Sequence, residues 1–250
     1  MNTKIWYLYN SGFVVETEDH LLIFDDCTHP TAGGTFDQGF VDESVLPKKD
    51  TIVFVSHSHL DHFDPHIFKW REFCPRIRYI LSNDLPKLQK ALYVAPDTDY
   101  DMGDIKIHTL TSTDLGVAFL IWIDNLCIYH AGDLNWWHWE GDTEENNAHM
   151  KAAYQKEIDS IKGKKIDIAF VPMDPRLENQ YLWGLDYFMR TVGADVCIPM
   201  HFGDNYSCFE KVKEDPMADP YRSHLVNLTH CGQEIDYISP ESPANIHPDH

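Results

Sequence analysis

Thr51-Ile52-Val53-Phe54-Val55-Ser56-His57-Ser58-His59-Leu60-Asp61-His62 joins an apolar run to a cluster of side chains able to bind metal. Thr51 to Val55 is β-branched and aromatic, the composition of a buried strand. The histidines and the aspartate therefore emerge at its C-terminal end. They sit on a turn ahead of Asp64-Pro65, an N-cap with proline at the first helical position, which predicts a short helix through Trp70. Imidazole nitrogen and carboxylate oxygen suit zinc and neighbouring first-row ions in water-accessible sites, and no thiolate is present to close the site. Alternate residues of an extended segment share a face, so His57 and His59 can grip one ion while Asp61 and His62, past the bend, turn toward a second. A chain with 15 histidines can also gather several on a solvated loop. The ordered quartet after a buried strand argues for metal.

Outward from this stretch, strands are predicted at Ile5 to Tyr9, Gly12 to Glu16, and His20 to Phe24 ahead of Asp25. Further strands follow at Ile77 to Leu81 and Ile105 to Leu110, with a short helix starting near Ser82-Asn83-Asp84 and Pro86. Val117 to Ile123 and Leu126 to His130, joined by Asp124-Asn125, form a hairpin that runs into Ala131-Gly132-Asp133. A helix over Glu144 to Ile161, a strand over Ile166 to Val171, a helix near Tyr187 to Val192 and a strand over Val196 to Met200 complete the pattern. Strands first, a hairpin in the middle and βα units last predict an α/β fold of two packed sheets with helices outside, a single domain over residues 1–250. The run Pro240 to His250 reads as loosely held.

Composition narrows the partners. Forty acidic against 20 basic side chains give a formal charge of −20, which repels polyanions, so nucleic acid polymers and anionic membranes are disfavoured. The start of the sequence has no basic-then-apolar signal pattern and no apolar run reaches membrane-spanning length, which sets a cytoplasmic location as the expectation. The six cysteines are scattered without CxxC pairs and read as reduced core residues.

His57-x-His59-x-Asp61-His62 resembles the signature of the metallo-β-lactamase superfamily, metal-dependent hydrolases with a four-layer αββα sandwich. The resemblance extends over most of the chain: Tyr129-His130-Ala131-Gly132-Asp133 is similar to the family's strand-terminal Gly-Asp, Pro199-Met200-His201 to its late histidine, and Asp25 to an early strand-end aspartate. It implies His57 and His59 on one ion, Asp61, His62 and His201 on another, Asp133 bridging them, and Asp25 orienting a ligand from behind. Taken singly, Asp133 also reads as a turn residue and His201 as a core histidine. One position departs from the family: the loop that usually supplies a third histidine to the first ion reads His108-Thr109-Leu110-Thr111-Ser112-Thr113-Asp114, leaving Asp114 or His108 as substitutes. An oxygen ligand there tilts selection from zinc toward manganese or iron, and the resemblance implies one or two divalent ions, zinc first among them. His59 stands where diiron members carry glutamate, which favours hydrolysis over redox chemistry.

The expected reaction is attack by a metal-bound hydroxide, with Asp61 orienting the nucleophile or taking its proton, on a small-molecule ester, lactone or phosphoester. The flanking residues look most like the ascorbate-6-phosphate lactonase-like branch. The alternatives are a small-nucleotide phosphodiesterase and a non-catalytic metal-binding or sensor protein. Asp174 and Arg176, after a buried strand, are candidate substrate contacts, Arg176 clamping a carboxylate or phosphate; a surface pair of Arg176 with Asp174 or Glu178 is the competing reading. Trp136, in the run Trp136-Trp137-His138-Trp139, is a candidate pocket wall, against plain loop packing.

Overall fold

Alternation along Asp50–Val55 sends Ile52 and Phe54 to one side and Val53 and Val55 to the other, and all four are fully buried, as a central strand of a sheet covered on both faces requires. The computed structural model describes residues 2–27, 34–87 and 90–239, so Pro240 to His250 lie outside the described residues. The first sheet holds β1 (Asn2–Tyr7), β2 (Phe13–Glu16), β3 (His20–Phe24), β4 (Asp50–Val55), β5 (Arg78–Ser82) and β6 (Leu92–Val94). The second holds β7 (Thr98–Asp101), β8 (Lys106–Thr111), β9 (Val117–Ile123), β10 (Leu126–His130), β11 (Ile168–Pro172) and β12 (Val196–Met200), and β13 (Glu234–Ile238) returns to pair with β1. The orders are β13-β1-β2-β3-β4-β5-β6 and β12-β11-β10-β9-β8-β7. Both sheets are mixed: β3 to β6 run parallel in one, β10 to β12 in the other.

Rings fill the space between the sheets. Phe24 stacks on Phe54 at 4.9 Å, Phe13 meets Phe170 at 4.3 Å, and Phe54 meets Phe119 edge-on at 5.4 Å. On β10, His130 points inward onto Phe24 while its neighbour Tyr129 points outward to stack on Phe188. Phe188 belongs to α2 (Trp183–Thr191), which with α1 (Glu144–Ser160) covers the outer face of the second sheet, and α3 (Ser207–Glu214) follows β12. The result is the four-layer sandwich expected from the sequence.

The other outer layer is built of short pieces. The short helix predicted after Asp64-Pro65 is present as a 3-10 helix, Pro65–Glu72, with Asp64 capping the His66 amide as predicted. The Tyr79 hydroxyl donates to the Ile67 carbonyl, which an α-helix would give to the amide four residues on. Ile67 and Trp70 nevertheless bury against Val53, Val55 and Tyr79. The helix start expected after Ser82 is a turn over the described residues 83–87, with the Leu85 amide bonding the Ser82 carbonyl and the Asn83 amide bonding Val94 of the adjoining strand. The Asp124-Asn125 hairpin is as predicted, with φ of 48° and 60° at the two turn residues, the signature of a type I′ turn. All six cysteines are free thiols, five of them buried, and no described helix is long and apolar enough to cross a membrane.

His66 ties the 3-10 segment to the first sheet, its Nδ1 bonded to Asp64 at 2.9 Å and its Nε2 to Asp26 at 3.0 Å. Burial disfavours the charged ring, but Asp26 and Asp64 outweigh it and raise its pKa. A raised histidine stabilises the fold fully below its unfolded pKa of about 6.5 and loses that contribution as pH climbs through the folded value. Denaturant midpoints of wild type and His66→Gln should therefore differ more at about pH 6 than at about pH 9. A gap that widens with pH would contradict the assignment.

Candidate metal centre

Five strand ends, with Asp114 from the β8–β9 connection, deliver the candidate residues to one edge of the sandwich. Asp25 follows β3, Ser56 to His62 follow β4, Asp133 lies three residues past β10, Asp174 two past β11, and His201 directly after β12. All are carboxyl ends of strands engaged in parallel pairs, where open α/β sheets leave a crevice. Two groups form there: His57, His59, Asp114 and Asp133, and Asp61, His62 and His201, with the ligand-type atoms of each group within 4.8 Å of one another.

In the first group His57 Nε2 lies 3.1 Å from His59 Nδ1 and 3.4 Å from Asp133 Oδ2, and His59 Nδ1 lies 3.5 Å from Asp114 Oδ2. In the second, Asp61 Oδ2 is 3.7 Å from His62 Nε2 and 3.6 Å from His201 Nε2. Asp133 Oδ1 stands between those two rings, 3.1 Å from His62 Nε2 and 3.3 Å from His201 Nε2. Asp133 thus faces one group with each oxygen. His62 Nε2, Asp133 Oδ1 and His201 Nε2 are buried and have no hydrogen-bond partner among the described residues. Orphaned buried polar atoms each cost about 1–3 kcal/mol, and three converging on one point fit a cation.

The far sides of His57, His62 and His201 are fixed. His62 Nδ1 bonds Asp25 Oδ2 at 2.7 Å, and His201 Nδ1 bonds Asp174 Oδ2 at 3.1 Å. The Ser56 hydroxyl donates to Asp25 at 2.6 Å and so receives the His57 Nδ1 proton at 2.9 Å. Each bond turns the opposite ring nitrogen, with its lone pair, toward the centre. Asn10 Nδ2 holds Asp61 Oδ2 at 3.1 Å, and the Asn10 carbonyl accepts the His201 amide at 3.1 Å, tying the two loops together.

The backbone bends to achieve this. Asn10, Asp25 and His201 adopt φ of 50°, 41° and 63°, a left-handed region costing non-glycine residues about 1–3 kcal/mol. Gly132 explains the Gly-Asp pair: a Cβ there would lie 2.6 Å from that of Ser56. At Gly116 it would lie 2.0 Å from the Ser56 carbonyl oxygen, where Val117 donates its amide across to the first sheet.

Charge follows the same plan. Burial pushes Asp133 up, yet His62, His57 and His201 outweigh it and hold the carboxyl well below its ordinary range. Burial likewise opposes ionisation of Asp25, but His62 and then His130 keep it low. Burial lowers His62, and Asp133 and Asp25 overcome it, lifting the ring to about 10. Carboxylates held ionised around buried imidazoles make a centre that a divalent ion completes.

Asp114 joins the first group, whereas His108 is on β8, bonded to Asp99 at 2.9 Å and away from the cluster. Asp174, a candidate substrate contact, is 1% exposed with its carboxylate committed to His201 and Arg176. Arg176 makes the expected competing pair, its Nε 2.9 Å and 3.0 Å from the two Asp174 oxygens, and it still lines the cavity over the cluster. Trp136 turns away and packs on Trp183 at 5.3 Å; Trp137 and Trp139 form the wall in its place. Sequence reasoning missed Ser56 and Asn10. Ser56 had a signal, a hydroxyl between the strand and His57, while Asn10 looks like any turn residue. That cavity measures about 370 Å³, and a second of about 350 Å³ opens on its other side, sharing Asp61, Arg176 and His201.

Weakening the carboxylate behind His62 should lower metal affinity about 10–100-fold in Asp25→Asn while the folded far-ultraviolet signature persists. Chelator competition reads this directly, and unchanged affinity would remove Asp25 from that role.

No family model matches the sequence, and no curated protein matches it. Solved structures do. Igni18, a metallo hydrolase from the archaeon Ignicoccus hospitalis, superposes with a TM-score of 0.63 at 16% identity over 95% of this chain and 99% of its own. The metallo-β-lactamase fold protein YhfI from Bacillus subtilis gives 0.58 at 14% identity, covering 94% and 99%. CmlA, a diiron β-hydroxylase from Streptomyces venezuelae, gives 0.55 at 13%, covering 81% of this chain and 45% of that larger one. The chain therefore has the metallo-β-lactamase fold, which carries more than one chemistry.

Proposed function

We propose that the chain is a metal-dependent hydrolase of small-molecule esters, lactones or phosphoesters. The observation that carries this reading is the convergence of the three unpartnered buried atoms of His62, Asp133 and His201 beneath an open cavity. The residues to hold the ions are His57, His59, Asp114 and Asp133 on one side and Asp61, His62, His201 and Asp133 on the other. A divalent ion bound there supplies a Lewis acid and lowers the pKa of water, zinc best matching the imidazoles and the Asp114 oxygen leaving room for manganese or iron.

The chain's own part lies with Asp61. Its side chain is 50% exposed, unlike Asp133, and borders both cavities. With Asn10 holding Oδ2, its other oxygen is available to orient an attacking water and take its proton. Trp137, packed edge-on against His201 at 5.4 Å, keeps water off one flank of the cluster. A cavity of about 370 Å³ suits a small molecule, and the formal charge of −20 opposes a polyanion. His59 in the first group supports hydrolysis over diiron redox chemistry, as the family resemblance implies. The flanking residues favour a lactone, and the free thiols suit a reducing, cytoplasmic setting. A second reading, a small-nucleotide phosphodiesterase, is favoured by the parallel indoles of Trp137 and Trp139 beside Arg176.

Metal-reconstituted protein should hydrolyse an aryl ester or a lactone, lose activity on chelation, and lose about 100-fold or more in Asp61→Asn when the rates are compared at matched metal occupancy. Turnover of bis-p-nitrophenyl phosphate alone supports the phosphodiesterase. Bound metal without turnover of any of these defines a sensor, and activity that survives chelation overturns the mechanism.

A further inference from the structure

Among the described residues, Arg176 is the sole lysine or arginine lining either cavity that opens on the cluster. It is held on two sides. Its Nε bonds both oxygens of Asp174, which in turn bonds His201 Nδ1, and its guanidinium lies over the Trp139 ring at 5.8 Å. Trp139 runs parallel to Trp137, with centroids 6.1 Å apart and planes 4° apart, and the Trp137 indole donates to the Asp133 carbonyl at 3.0 Å. The fork is thus fixed relative to His201 and Asp133, and its side chain is still 64% exposed. Nη1 makes no hydrogen bond among the described residues.

A cation serving only to neutralise Asp174 has no need to border both cavities, since His201 already bonds that carboxylate. With metal bound, Asp61, Asp114 and Asp133 in the same cavity are taken up by the ions, so an anionic group lying apart from them needs a fixed positive charge to meet it. Arg176 is that charge, and a planar fork with a free edge matches a carboxylate or phosphate.

Resting on the hydrolase reading, we propose that the substrate carries, apart from its scissile bond, a carboxylate or phosphate group that pairs with the free edge of Arg176. The adjoining ring or apolar portion lies against Trp139 and Trp137. The scissile bond then falls over Asp61, which lines both cavities beside Arg176.

The test uses metal-loaded protein and ligands that do not turn over: benzoate, phenyl phosphate and neutral benzyl alcohol, read by tryptophan fluorescence. Benzoate or phenyl phosphate should bind roughly tenfold or more tightly than benzyl alcohol, and the tighter of the two identifies the anionic group. Arg176→Gln should erase that preference with metal content and benzyl alcohol affinity unchanged. Arg176→Lys, which keeps a charge beside Asp174, should fall between the two and carries the test should Arg176→Gln lose metal. Equal affinities in the wild type, or a preference that survives loss of the guanidinium and so belongs to the metal alone, overturns the proposal. Anion binding without turnover of any ester, lactone or phosphoester leaves the subsite standing and removes the hydrolase reading; turnover of neutral esters without anion preference does the reverse.

Discussion

Three atoms stripped of water by burial, His62 Nε2, Asp133 Oδ1 and His201 Nε2, face one another with no hydrogen-bond partner among the described residues, and the rest of the site keeps them there. Left unpaired in a low-dielectric interior, such groups would reorient toward any available partner. Asp25 and Asp174 prevent this by holding the opposite ring nitrogens. Those carboxylates are themselves fixed, Asp25 by the Ser56 amide and hydroxyl, Asp174 by Arg176. Left-handed backbone at Asp25 and His201 and the close approach of Gly132 to Ser56 are local costs that the packed sheets below sustain.

The two groups are built unequally. In one group His62 and His201 are buried and Asp61 alone is exposed, whereas in the other only His57 is buried beside the shared Asp133, and the His59 and Asp114 side chains are each 47% exposed. The inner group is thus preorganised, and the outer one depends on two side chains that solvent can pull away. A carboxylate at Asp114 also makes the outer group harder in character than an all-imidazole one. The fold's relatives include both hydrolases and a diiron hydroxylase, so chemistry on this scaffold is set by such details of the site.

How legible the structure was in the sequence follows from burial. Strands whose apolar run is continuous or strictly patterned, such as Val117–Ile123, Leu126–His130 and Val196–Met200, lie where the pattern places them. The edge strands Leu92–Val94 and Thr98–Asp101 are short and half-exposed, and β13 alternates with charged residues, so little hydrophobic signal marks them. Metal-type side chains were legible because they stand at strand ends with fixed spacing. What orients them was not, since it depends on contacts between residues far apart in the chain, Asn10 with Asp61 and Asp174 with His201. The tryptophan run shows the same limit: composition placed an aromatic wall beside Asp133, but only the turn geometry decides that Trp137 and Trp139 face the cavity and Trp136 packs on Trp183.

Calorimetric titration of zinc or manganese into chelator-treated protein tests the central claim most directly. The account predicts a tight phase that His201→Ala abolishes and a weaker one that Asp114→Ala removes by itself. Wild-type protein that takes up no ion, or a tight phase left intact by His201→Ala, would contradict it.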